Sequence, residues 1–159
     1  MNVLKKQEEY RFMENKTYRK IDVAIDRDEV MRSVMAEYAL ISAGKNDDRD
    51  VPMQYAKCDL AGIFGVVIDE EVGYMCSRMM GYAEDCVADG SLMKITVRVS
   101  ARLETTADAV LRKRMEDYLV AVILVRFLMP VASAQRECVA LEKRAKSSLR
   151  AVRHILAVD

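Results

Sequence analysis

The stretch from Thr105 to Val158, TTADAVLRKRMEDYLVAVILVRFLMPVASAQRECVALEKRAKSSLRAVRHILAV, contains no glycine and a single proline, Pro130. Apolar residues return at three- and four-residue intervals on both sides of that proline. Before it stand Val110 or Leu111, Met115, Tyr118, Val122, Val125 and Met129; after it stand Ala134, Cys138, Leu141, Ala145, Leu149, Val152 and Ile155. This spacing places each set on one face of a helix. Pro130 lacks an N–H, and its ring collides with the preceding turn, so it interrupts the pattern. One reading is a kink within a single helix. Met-Pro-Val-Ala followed by Ser133 as a cap favours a short loop between two antiparallel helices, 105–129 and 133–157. Val122 and Leu141 are then expected to be buried near the middle of the hairpin.

Immediately upstream, Met93, Ile95, Val97, Val99, Ala101 and Leu103 alternate with Lys94, Thr96, Arg98, Ser100 and Arg102. A period of two with one apolar and one polar face reads as a strand over 93–103. Ile21, Val23 and Ile25 alternate in the same way with polar neighbours, giving a strand over about 18–25. Asp26 and Glu29 then open a helix that carries Val30, Val34, Tyr38 and Ile41 and stops at Gly44. Pro52 starts a second helix with Met53, Ala56, Leu60, Ile63, Phe64 and Val67. Asp69 caps a third, whose stripe runs through Val72, Met75, Cys76, Met79, Ala83 and Cys86 or Val87 and closes at Gly90.

The sum is a predominantly helical α+β fold: about five helices, a small sheet of two strands (18–25 and 93–103) and a C-terminal antiparallel helical hairpin. Residues 1–16 are charged with weak periodicity and read as an arm; 17–159 read as one domain.

Composition narrows the function classes. Of 159 residues, 25 are Lys or Arg and 25 are Asp or Glu, so the formal charge is zero. No whole-molecule field gathers nucleic acid or anionic lipid. The longest apolar run, Leu119 to Val125, is far too short for a membrane span. The charged start, MNVLKKQEEYRFMENK, lacks the apolar core of a signal peptide, which points to an intracellular protein. Cys58, Cys76, Cys86 and Cys138 show no Cys-x-x-Cys spacing. On one helix Cys76 and Cys86 would sit about 15 Å apart, too far for a disulfide, and all four read as reduced, packed thiols.

Candidate chemistry is sparse. His154 is the sole histidine and sits where a cation complements a helix C-terminus. Around it, Lys143, Arg144, Lys146, Arg150 and Arg153 are the residues that can contact nucleic acid or a protein partner. Aromatic residues are not interleaved with them, and a solvated helix face is the simpler account. Gly62-Ile63-Phe64-Gly65 has the spacing of a nucleic-acid-clamping loop, yet its bulky centre fits close helix packing better. Asp69, Glu70 and Glu71 are acids that a helix start selects. No phosphate loop, nucleophile elbow or zinc spacing occurs. Catalytic, metal-ligating and cofactor-binding residues are accordingly expected to be none. Methionines at 31, 35, 75, 79, 80, 115 and 129 serve as core filler or as an adaptable surface for a neighbouring subunit.

The order of elements and their texture carry one resemblance. IDRDEVMRSVMAEYAL after a short strand, CVADGS, LMKITVRVSARLE, YLVAVILVRFLM and a polar helix ending in SLRAVRHIL resemble small virion-assembly proteins of tailed bacteriophages and prophages, most of all the head–tail connectors and neck-completion proteins. The likeness spans roughly 20–157, without the basic, proline-containing C-terminal extension expected of such proteins. It implies a non-enzymatic subunit that meets copies of itself or neighbouring virion proteins, in the host cytoplasm or within a virion. The alternative is a helical regulatory module that binds nucleic acid through the basic C-terminal helix.

Overall fold

In the computed structural model, which describes residues 18–43, 60–79 and 81–157, alternation over the first strand becomes β1 (Tyr18–Asp26). Ile21, Val23 and Ile25 are buried, and Lys20 and Asp22 face outward. The Asp26 carboxylate accepts the amides of Asp28 at 2.9 Å and Glu29 at 3.4 Å, which caps α1 (Arg27–Ala43) as expected.

Two helices expected over 52–87 are replaced by one helix and a strand. The residues 52–59 lie outside the described ones. From there α2 runs without a break through Gly65 and Asp69 (Leu60–Arg78). The reason lies in one unbroken helical phase: Phe64, Ile68, Val72, Met75 and Met79 are all buried along it. The helix stops because Gly81 takes φ +91°, and Tyr82 and Ala83 donate their amides to the Met79 carbonyl at 2.9 and 3.1 Å.

Ala83, Cys86 and Val87, expected on the third helix, instead belong to β2 (Ala83–Asp89). Gly90 closes no helix; with Ser91 it forms the two-residue turn into β3 (Leu92–Ser100), where Asp89 faces Leu92. Gly90 has φ +59° and no non-glycine residue among those described has positive φ, the pattern of a hairpin whose first turn residue must be glycine. Among the described residues the sheet therefore has three antiparallel strands in the order β1-β3-β2, not two. Its third strand ends at Ser100, and Ala101 to Leu103 form a turn rather than continuing to 103.

The C-terminal region is a hairpin of α3 (Thr106–Leu128) and α4 (Gln135–Leu156). Val131 is extended (φ −92°, ψ 106°) and a short 3-10 turn covers Ala132–Ala134, so Pro130 sits in a loop and not in a kink. The expected Ser133 cap is displaced: Ala134 occupies the N-cap position of α4, and its methyl group cannot bond the first amides. Leu141 is buried, whereas Val122 is only half-buried because it borders a surface cleft.

α3 is the centre of the molecule. Leu111, Met115, Leu119, Ala121, Ile123 and Leu124 are fully buried, and the helix packs on α1, α2, α4 and β1. Stacking of Phe64 on Phe127, with ring centroids 4.8 Å apart, joins it to α2. Arg19 of β1 fixes its start with a two-pronged contact to Asp108 at 2.6 and 3.0 Å. The expected arm, 1–16, lies outside the described residues. Among the described residues no helix is long and apolar enough to cross a membrane.

Candidate functional site

Three surfaces stand out, and the first is the C-terminal basic helix. Buried positions Cys138, Leu141, Ala145, Leu149 and Val152 set the inner face of α4. The helical repeat then turns Arg136, Lys143, Lys146 and Arg150 outward, all exposed and in no ion pair among the described residues. Arg136, Lys143 and Arg150 recur every seven residues, about 10.5 Å along the axis. The other two sequence candidates are already engaged. Arg144 lies on the opposite flank, 2.7 Å from Glu37 of α1 and 3.7 Å from Asp117 of α3. Its pKa is raised above the usual guanidinium value, foremost by the hydrogen bond to Glu37. Arg153 donates through Nε and a terminal nitrogen to the Arg78 carbonyl at 3.0 and 2.8 Å, which fastens the end of α4 to the end of α2. His154 is exposed in the last turn of α4.

The second surface is the sheet edge. β3 is the middle strand, so among the described residues β1 and β2 each present one unpaired edge. They are not equivalent. The inward side chains of β1 lie under the helices, but every residue of β2 except the half-buried Ala83 is exposed. Ala83, Cys86 and Ala88 stand opposite the buried Val97, Ile95 and Met93, so they point to the core side of the sheet. The helical layer reaches them at Ala83 and at Cys86, which meets Cys76 of α2, yet leaves Cys86 and Ala88 exposed. Sequence reading missed this strand because a strand wet on both faces has no apolar alternation to detect. The local signal was Asp-Gly-Ser between two short runs.

The third surface is a cleft of about 360 Å³ where α2, α3 and α4 meet. Val122, Val125 and Ala145 supply apolar wall, and Tyr74 lines its rim. Glu71 reaches it from the buried face of α2 and is only 9% exposed. Arg126 holds Glu70 at 2.9 Å and Glu71 at 3.2 Å. Desolvation nevertheless pushes the Glu71 carboxyl above its ordinary value of 4.5, with Arg126 opposing the shift. Tyr118 is 2% exposed and lines the same cleft. Burial raises its pKa as well, against the charge of Arg78. Sequence reading assigned Glu71 to a helix start and Tyr118 to a core stripe. Only the meeting of three helices brings them together.

The cysteines also depart from expectation. Cys76 stays on α2 while Cys86 moves to β2, and their thiols share a hydrogen bond instead of lying about 15 Å apart. Burial, then the neighbouring Cys86, pushes the Cys76 thiol up to about 12. No protein-family model, curated protein or solved structure matches this chain.

Proposed function

We propose that this chain is a non-enzymatic assembly subunit, working through protein–protein contacts at the head–tail joint of a tailed bacteriophage or prophage. The observation that supports assembly is β2, a seven-residue edge strand among the described residues, exposed at every position but the half-buried Ala83. An open strand of this kind is a template for a further strand from a neighbour, with main-chain hydrogen bonds as the attraction. Small inward residues, Ala83, Cys86 and Ala88, leave room for side chains of an added strand to lie against the core side.

The test is a pair of lysines placed on this edge, Val87→Lys with Ala88→Lys, because charge on an open edge opposes strand addition. Both positions are exposed, so folding should be unchanged. Light scattering after size exclusion should show the wild type growing beyond its 18.1 kDa monomer mass as concentration rises, and the double variant remaining monomeric. A wild type that stays monomeric throughout, or a variant that assembles equally well, contradicts the reading. The viral setting is tested by gene order: portal, capsid or tail genes should flank the coding sequence, and a neighbourhood without them contradicts it.

A second reading is favoured by the outward face of α4. Arg136, Lys143, Lys146 and Arg150 form an unpaired basic stripe, which suits a nucleic-acid backbone. That reading requires salt-dependent binding whose slope falls when Arg150 becomes Ala; no binding at low salt disposes of it.

A further inference from the structure

Cys76 of α2 and Cys86 of β2 come from different elements, yet their thiols share a hydrogen bond. The turn at Gly81, with φ +91°, folds the strand back onto the helix that precedes it. Cys86 stands opposite the buried Ile95 and so points to the side of the sheet on which α2 lies. Cysteines that serve only as packing are among the most buried residues. Cys138 fits that description. Cys86 does not, because it is exposed, and Cys76 is half-buried. One thiol open to solvent and in contact with a second is the arrangement of an attacking and a resolving cysteine.

We propose that Cys76 and Cys86 form a reversible disulfide within one chain, with Cys86 attacking, Cys76 resolving and a small-molecule disulfide as the oxidant. In the first exchange the Cys86 thiolate attacks one sulfur of the oxidant. The oxidant's S–S bond breaks, one small thiolate leaves, and a mixed disulfide remains on Cys86. Cys76 then gives up its proton to solvent and attacks the Cys86 Sγ, and the second small thiolate departs. Two cysteine thiols are oxidised, one small disulfide is reduced to two thiols, and the two cysteine protons end on those thiols. The first step also prepares the second. Burial is the foremost reason that the Cys76 thiol holds its proton, but the charge of Cys86 and the hydrogen bond to it add to the effect. Both contributions vanish once Cys86 carries the mixed disulfide. The product ties β2, held at one edge by β3, to α2 as well. The bond lies within one chain, so it stands or falls apart from strand addition at the sheet edge.

The full chain, reduced and freed of reductant, is exposed to glutathione disulfide, quenched in acid and digested with trypsin without reduction. Cleavage after Arg78 and Lys94 isolates Cys86 on peptide 79–94, while Cys76 lies on 58–78 together with Cys58. In the wild type 79–94 should be joined to 58–78, and dithiothreitol should release it. Cys76→Ser should stop at the first step, leaving 79–94 unjoined and carrying glutathione. A glutathione redox buffer should favour the internal bond at least about tenfold more in the folded chain than in urea, because the fold holds the thiols together. The proposal is overturned if wild-type 79–94 carries glutathione without being joined, or if the join persists in Cys76→Ser. A bond from Cys86 to Cys138 or to a second chain, or an equal preference in urea, overturns it as well.

Discussion

Replacing Leu124 by alanine tests whether α3 is the centre of the core. Leu124 is fully buried on a helix that packs against α1, α2, α4 and β1. The substitution removes three carbon atoms, a transfer loss of about 2.4 kcal/mol at ~0.8 kcal/mol per carbon. A helix held from four sides cannot collapse into the gap, so a cavity term on the order of 1–2 kcal/mol is added. The expected total is about 4 kcal/mol, a large part of the roughly 5–15 kcal/mol that holds a domain together. Melting should fall by about 10 °C for a chain of this size. Urea unfolding followed by circular dichroism should show a lower midpoint with an unchanged slope. Leu141→Ala, at a site 7% exposed on the outer helix, should cost about 2–3 kcal/mol. Val110→Ala, at a site 50% exposed, should cost under about 0.5 kcal/mol. If Val110 or Leu141 costs as much as Leu124, the assignment of α3 to the centre is wrong.

Glu71→Gln should leave stability unchanged or raise it at neutral pH. The folded-state pKa of Glu71 lies above its ordinary value of 4.5; its contribution is whole below that value and is lost as pH rises through the folded pKa. The variant should lose that part of the pH dependence, and an unaltered stability–pH curve counts against a desolvated Glu71. Iodoacetamide should label exposed Cys86 well before Cys76, whose thiol is pushed up to about 12; equal rates in peptide mapping contradict their placement. Arg144→Met should cost no more than about 1 kcal/mol, with the loss shrinking in high salt, since its contacts to Glu37 and Asp117 are partly solvated. A loss unaffected by salt would show that packing and not charge is at work there.

Long-period features were legible in the sequence. The helical hairpin, the break at Pro130, β1, the Asp26 cap and the core of β3 all follow from apolar spacing and one proline, and the class of the fold is correct. Errors gathered where that signal is weak or misread. Asp69 looked like a boundary, but the phase from Phe64 to Met79 carries α2 past it. Cys86 and Val87 continued a helical stripe by spacing alone, while Gly81 and Gly90 turn the chain into an edge strand that needs no apolar face. Lys143, Lys146 and Arg150 were visible as a basic cluster. That Arg144 and Arg153 are bound to other elements depends on contacts distant in sequence: Glu37 for one, Arg78 for the other. The cleft was invisible for the same reason, since Glu71, Arg78, Tyr118 and Lys146 come from three helices.

Hydrogen exchange across β2, measured at rising protein concentration, tests the assembly account most directly. In dilute solution the amides of 83–89 that face away from β3 should exchange rapidly, while those of the central strand β3 remain protected. As the chain associates, the outward amides of 83–89 should slow and β3 should not change. Association that leaves 83–89 at its dilute rate while protecting another surface would contradict the account.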